Sequence, residues 1–300
     1  MVFPLSENII LAVIFAFSTA ILTATFQTIA RKGRTYGNAA TGVVIGLIIN
    51  SPILLVYSFL SWEPHWFNMK AIGLFIATGF AATGFGRFLL YFSIHKLGVA
   101  ITSPLLSSIP LFTGLMAVGV LGETPELNVW LATILIVIGC VFITLKQESS
   151  GNWDLKYIWV PFASVLSYSV ASIFRKMGLN ILPEPLLGST ITYIAGLFLV
   201  LFICLFMKEE NKPDFRNKSA WFFYGFVGLI NMLSLVSRWT STSYADLTIV
   251  TPLFATSGFF ALVISKFLLR NDEHVTIWSF IGTVLIVSGG AIITWNLFSG

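Results

Sequence analysis

The sequence predicts an all-α polytopic membrane protein of ten transmembrane helices, built as two inverted five-helix repeats. Composition, the spacing of apolar runs and an internal repeat predict it. Of 300 residues, 56% are hydrophobic and 10% charged, against about 25% charged in soluble domains. Such a chain needs a solvent other than water. A hydrocarbon core of ~30 Å takes about 20 apolar residues at ~1.5 Å rise, and runs of that length follow one another between short polar connections.

The spans fall at 7–30, 37–60, 70–94, 98–121, 126–146, 154–176, 185–207, 219–243, 247–268 and 274–297. The first is a span rather than a signal peptide, because no basic residue precedes it, it is too long for such a segment, and no small-residue cleavage site follows. The later runs are continuous and twice the length of barrel strands, which excludes a porin-like fold. Cys140 and Cys204 both lie inside spans, so they read as small apolar packing residues rather than a disulfide or zinc framework. The net charge of +4 is spread over the connections, which implies a lipid bilayer and no nucleic acid.

Residues 134–144, ILIVIGCVFIT, return as 284–294, VLIVSGGAIIT, at an offset of 150. Ile101, Pro104, Leu105 and Phe112 return as Ile249, Pro252, Leu253 and Phe260 at 148, and Arg31-Lys32 as Arg175-Lys176 at 144. The first repeat is therefore 1–147, the second 154–300, and the polar stretch 148–153 the linker. Five spans per repeat make the second enter the bilayer from the opposite side. Two inverted halves rocking about a central site is the usual construction of a secondary carrier.

Lys and Arg in the connections divide twelve against three, with Lys70, Arg175 and Lys176 as the minority. The positive-inside rule then puts both termini outside the cytoplasm.

Certain residues resemble the drug/metabolite transporter superfamily in its EamA-type ten-span branch. The first copy carries Tyr91, Ser103-Pro104-Leu105, Pro110, Gly122-Glu123 and Leu135-Ile136 before Gly139; the second carries Thr251-Pro252-Leu253, Glu273, and Gly282 with Leu285-Ile286 and Gly289. Ala132 stands where the pattern has a glycine, Gly258 replaces the second proline, and Asn271-Asp272 precede Glu273. The resemblance covers essentially the whole chain. It implies a basket of helices around a central cavity, lined by the first, third and fourth spans of each copy, with the fifth peripheral. It also implies small organic solutes as substrates, such as amino acids and their relatives, sugar or nucleotide conjugates and drugs, and no cofactor. Members of the family have both termini in the cytoplasm, the reverse of the charge count.

Arg87 and Arg238 lie deep in apolar runs, where a charged side chain costs about 2.5–3.5 kcal/mol on insertion scales. With no acid nearby in the spans, a guanidinium there suits an anionic substrate group; snorkelling or carbonyl capping is the structural alternative. They are not repeat equivalents, since Arg87 aligns with Leu235 and Arg238 with Leu90. Asn231, Ser234, Arg238 and Ser241 form one polar face of span eight, and Thr83, Arg87 and Tyr91 one of span three. Thr19, Thr23 and Gln27 do the same in span one, and Ser164, Tyr168, Ser172 and Arg175 in span six. Candidate substrate-binding residues are thus Arg87, Arg238, Tyr91, Asn231, Ser234, Gln27, Tyr168 and Thr83. Interhelical hydrogen bonding is the alternative for the hydroxyls, and close packing for Gly79, Thr83 and Gly86. Pro104, Pro110 and Pro252 are candidates for a kink or gate, and Glu123 and Glu273 for ion coupling. Trp62, Trp66, Trp130, Trp153, Trp221 and Trp278, near span ends, read as interfacial anchors.

His65, His95 and His274 lack metal-ligand spacing, and no phosphate-binding glycine loop, nucleophile elbow or carboxylate pair occurs. The expected function is secondary active transport, not catalysis, of a small polar organic solute, amino-acid-like or otherwise anionic, in the plasma (inner) membrane. A coupling ion or counter-substrate is the expected second partner, and the assembly a monomer or homodimer. A phosphate-ester or nucleotide-sugar exchanger is the alternative carrier and calls for several clustered cations. A membrane enzyme or scaffold acting on lipid-linked substrates is the alternative of another class and calls for a reactive constellation at one face.

Overall fold

A computed structural model of the chain describes residues 5–32, 36–144, 155–207, 212–268 and 277–299. Twelve α-helices run through those residues, with no strand among them: α1 (Leu5–Lys32), α2 (Ala39–Leu60), α3 (Met69–Thr78), α4 (Arg87–Leu106), α5 (Ile109–Met116), α6 (Leu127–Thr144), α7 (Trp159–Ile181), α8 (Pro185–Leu205), α9 (Lys218–Tyr244), α10 (Leu247–Ala255), α11 (Ser257–Leu268) and α12 (Ile277–Ser299). Two π-helical stretches, Gly79–Gly86 and Ala117–Leu121, continue α3 into α4 and extend α5. Starts are marked by side chains that accept the first orphan N–H groups. Asn38 accepts from Thr41, Asn68 from Lys70 and Ala71, and Asn217 from Ser219.

Eight helical stretches among the described residues are long and apolar enough to cross a bilayer: Asn8–Ala30, Ala40–Leu60, Met69–Ile94, Ile101–Leu121, Pro185–Leu205, Lys218–Tyr244, Leu247–Phe267 and Ile277–Leu297. The remaining two spans are α6, whose apolar part Leu127–Ile143 is shorter, and α7. The latter has 23 residues but carries Arg175 and Lys176. It also runs five residues past the expected end of span six, and both cations are buried in it. This corrects their assignment to a connection and leaves Lys70 alone in the minority charge set.

Even-numbered connections share one end of the bundle. His65, after span two, approaches Glu184, after span six, at 3.3 Å, and Asn296 near the end of α12 donates to Glu126, after span four, at 2.8 Å. At the other end Asn38 donates to the Lys212 carbonyl and Tyr224 to that of Gly37. We call the first the terminal end, because α1 starts and α12 finishes there.

The inversion is visible where span five meets span ten. A Cβ on Gly139 would lie 2.7 Å from the Gly282 carbonyl oxygen, and one on Gly289 would lie 2.7 Å from that of Ala132. Seven residues forward on α12 therefore correspond to seven backward on α6, so these equivalent helices run antiparallel. At the repeat offset of 150 the two contacts map onto each other, which places a pseudo-two-fold axis between them. Only small residues allow backbones so close.

Spans four and nine are both broken, at equivalent positions. α4 ends at Leu106 and α5 begins at Ile109, while α10 ends at Ala255 and α11 begins at Ser257. At each break a hydroxyl and the backbone N–H of the same residue share the carbonyl three residues back: the Ser108 hydroxyl donates to Leu105 at 2.6 Å, and that of Thr256 to Leu253 at 2.7 Å. Pro104 and Pro252 precede these breaks inside regular helix, and Pro110 sits in the first turn of α5, where its missing N–H costs nothing. Spans three and four share the helix α4. Ser93 and Thr102 hydroxyls nevertheless lie 2.8 Å apart, although nine residues of straight helix would separate them by about 13 Å. The chain therefore doubles back between them.

Span one packs on span eight through alanines at every fourth position, Ala12, Ala16, Ala20 and Ala24, all fully buried. Hydroxyls bridge this seam. Thr23 and Ser234 are 2.7 Å apart, and Ser234 and Ser241 reach the carbonyls of Thr19 and Ala12. Ser234→Ala is expected to lower stability by about 0.6 kcal/mol, the average for such bonds inside membranes, measured as a small drop in melting temperature in detergent. Trp66, expected as an interfacial anchor, is instead 4% exposed. It belongs to a cluster with Phe75, Leu187 and Trp239, because the short turn of 3-10 helix at Pro64–Trp66 folds it back over the bundle.

Candidate functional site: a guanidinium pair in the second repeat

The π-helix before Arg87 has carbonyls to spare, and span six supplies donors for them. Ser164 donates to the Gly86 carbonyl at 3.0 Å and Ser167 to that of Ala81 at 2.7 Å. This fixes α7 against span three and sets the Tyr168 ring beside Gly86, where a Cβ would come within 3.2 Å of it. π-Helical turns of this kind often occur at functional positions.

Two helical turns beyond Tyr168, α7 presents Arg175, 6% exposed. Its Nη2 donates to Ser172 at 3.1 Å and its guanidinium lies 5.9 Å from the Trp239 ring, but its buried Nε has no partner. Arg238 comes from α9, half-buried, with its guanidinium 4.8 Å from the Phe254 ring of α10. The two guanidiniums lie within each other's electrostatic reach, and Tyr168 within that of Arg238. Neither forms an ion pair among the described residues. Aromatic faces support both cations, yet a like-charged pair without a carboxylate is an incomplete arrangement.

Arg87 marks a second position. It is half-buried at the start of α4 and within electrostatic reach of Tyr193, whose hydroxyl accepts from Asn231 Nδ2 at 3.3 Å. Asn231 and Arg238 are seven residues apart on α9, which is about 10 Å along one helical face. Arg87 lies toward the end opposite the termini and the Arg175–Arg238 pair toward the terminal end, because inversion carries similar repeat positions to opposite depths.

Arg87, Arg238, Tyr168 and Asn231 thus belong to these two groups. Ser234 is engaged by Thr23 and the Thr19 carbonyl. The Thr83 side chain fills the space left by Gly196 on α8, and Gln27 is exposed. Glu123 is buried with both oxygens on backbone N–H groups of α10. Glu273 lies outside the described residues, as do the Tyr91 side chain and the linker 148–153. Tyr193, Trp239 and Phe254 are site residues that sequence reasoning did not name, and Arg175 was named but not among the substrate-binding candidates. Only Arg175 left a signal, as the last member of the polar face of span six.

A ten-span helical bundle with inverted halves is the architecture of a polytopic membrane protein. The chain belongs to the EamA-like transporter family, whose model matches residues 9–145 and 155–295. No curated protein sequence matches it. Among the solved structures similar to this chain, one crystal structure matches over 96% of this chain and 97% of its own, with a TM-score of 0.77 and 13% identity; at that identity the likeness is one of fold.

Proposed function

We propose that the protein is a secondary carrier of a small organic anion, working by alternating access between its two repeats in the plasma membrane. The observation that carries this reading is the Arg175–Arg238 pair, two like charges within electrostatic reach, with a buried Nε unpartnered and no acid paired to either among the described residues. A carboxylate or phosphate bridging the two forks would supply the missing acceptors and neutralise the repulsion. Arg87, with Tyr193 and Asn231 beside it, is the second polar station on the same route.

Clustering of the cations favours a second reading over an amino-acid-like solute. A phosphate ester, as a dianion with three acceptor oxygens, matches two guanidiniums better than one carboxylate does. The test is a thermal-shift screen of purified protein against carboxylates, sulfonates, phosphate monoesters and neutral analogues. Anions are expected to raise the melting temperature, by about 2.7 kcal/mol of added stability at 100-fold excess over Kd. Stabilisation by neutral solutes alone would overturn the proposal. With the anion so found, Arg87→Ala is expected to abolish uptake into proteoliposomes while leaving the melting temperature of the ligand-free protein within a few degrees of wild type. Uptake persisting at the wild-type rate would remove Arg87 from the route.

A further inference from the structure

The turn joining α9 to α10 is held from two sides. On the first, Gly122 adopts a left-handed φ of 74°, a conformation that suits glycine, and turns the following Glu123 under the start of α10. One carboxylate oxygen accepts from the Leu247 N–H and the other from the Thr248 N–H, both at 2.9 Å. On the second side, Lys176 Nζ donates to the carbonyls of Thr242 and Ala245 at 3.0 and 2.8 Å. Both charged side chains are 8% exposed. An anion thus caps the start of α10 and a cation the end of α9, each at the dipole end that stabilises it. Asp246 in the turn and Glu123 are the acids within electrostatic reach of Lys176.

The two grips differ in what they join. Lys176, α9 and α10 all belong to the second repeat, so that grip makes the turn a unit. Glu123 belongs to the first repeat and reaches across. Its contact lies at the terminal end, on the side of the Arg175–Arg238 pair, against the turn that Lys176 holds. On the alternating-access reading, opening of the terminal end separates the two repeats there, and with them Glu123 from Leu247 and Thr248. These N–H groups and the carboxylate then need water, which reaches them only when that end opens. The contact is therefore stable closed and dry or open and wet, and intermediate arrangements are unfavourable.

We propose that Glu123 is the inter-repeat latch of the terminal end: engaged with the start of α10 it holds the two repeats together at that end, and its release opens it. Glu123 is a positioning residue and touches no solute. The inference needs a carrier with two facing states but not the anion reading, and its test uses no solute, so each can fail alone.

The test is made on full-length protein in proteoliposomes with Cys140→Ala and Cys204→Ala, and Thr248→Cys as the reporter, since Thr248 is 5% exposed beneath the latch. A membrane-impermeant maleimide is applied to each side in turn, and backbone hydrogen exchange of residues 245–250 is followed in parallel without the reporter. Adding Glu123→Gln replaces a charged acceptor of two N–H groups by an amide that accepts through one atom. It is expected to raise labelling from the terminal side, and exchange over 245–250, by about tenfold. Glu123→Asp, shorter but still charged, is expected to give a smaller rise in the same places and serves if the amide variant fails to fold. A merely structural role would raise exchange across α6 and α12 as well, and labelling from both sides. That result, or labelling equal to the parent's, would overturn the proposal.

Discussion

Arg238→Ala is expected to weaken binding of the anion found by thermal shift by about 100-fold, because truncating one member of a buried charge-assisted contact costs about 2–5 kcal/mol. The same substitution is expected to raise the melting temperature of the ligand-free protein. It removes one of two guanidiniums that lie within electrostatic reach of each other, with no carboxylate paired to either among the described residues, and leaves Arg175 with its ring contact to Trp239. Lower affinity with higher intrinsic stability is the signature of a group placed for a ligand, since a residue placed for the fold loses both together. Arg238→Lys keeps the charge but loses the fork, so an intermediate affinity is expected. Isothermal titration and unfolding curves on the three proteins decide it. An unchanged Kd in the alanine variant would move the anion site away from this pair.

The span layout is legible because each crossing must supply its own apolar length, and the repeat offset checks one half against the other. Buried cations are less legible. Arg175 and Lys176 stand near the end of an apolar run, where cations usually mark a connection, and only the polar face from Ser164 to Arg175 argued otherwise. Trp239 and Phe254, which support the guanidiniums, carry no distinguishing signal among 28 phenylalanines and nine tryptophans. The face of span one illustrates a geometric limit. Each step of four residues turns a helix by about 40° beyond a full turn, so Gln27 stands about 80° around from Thr19 and is exposed while Thr19 and Thr23 are buried. Prolines pointed to the right spans but not to the breaks. Those lie at Ser107–Ser108 and Thr256, where side-chain hydroxyls compete with backbone N–H groups for the carbonyls of the preceding turn.

Gly282→Ala is expected to be among the most destabilising single substitutions outside the site. Its Cβ would lie 2.6 Å from the Gly139 carbonyl oxygen and 2.9 Å from the Ile143 side chain. Backbone cannot rotate away as a side chain can, so α6 and α12 must separate along the seam that relates the repeats. Overpacking of this kind costs about 1–3 kcal/mol, and we expect the upper end, or a fall of roughly 10 °C in melting temperature. Gly73→Ala is the control, because nothing lies within 4 Å of the place its Cβ would take on α3, and helix propensity alone favours alanine. Gly139→Ala should resemble Gly282→Ala, since its Cβ would meet the Gly282 carbonyl in turn. The double variant is then the informative one. Once the helices have parted to admit one methyl group, the second finds room already made, so the combined loss should fall well short of the sum of the two. Losses that add in full would mean that the two glycines relieve separate contacts, and that the equivalent helices of the two repeats do not meet at a shared close approach.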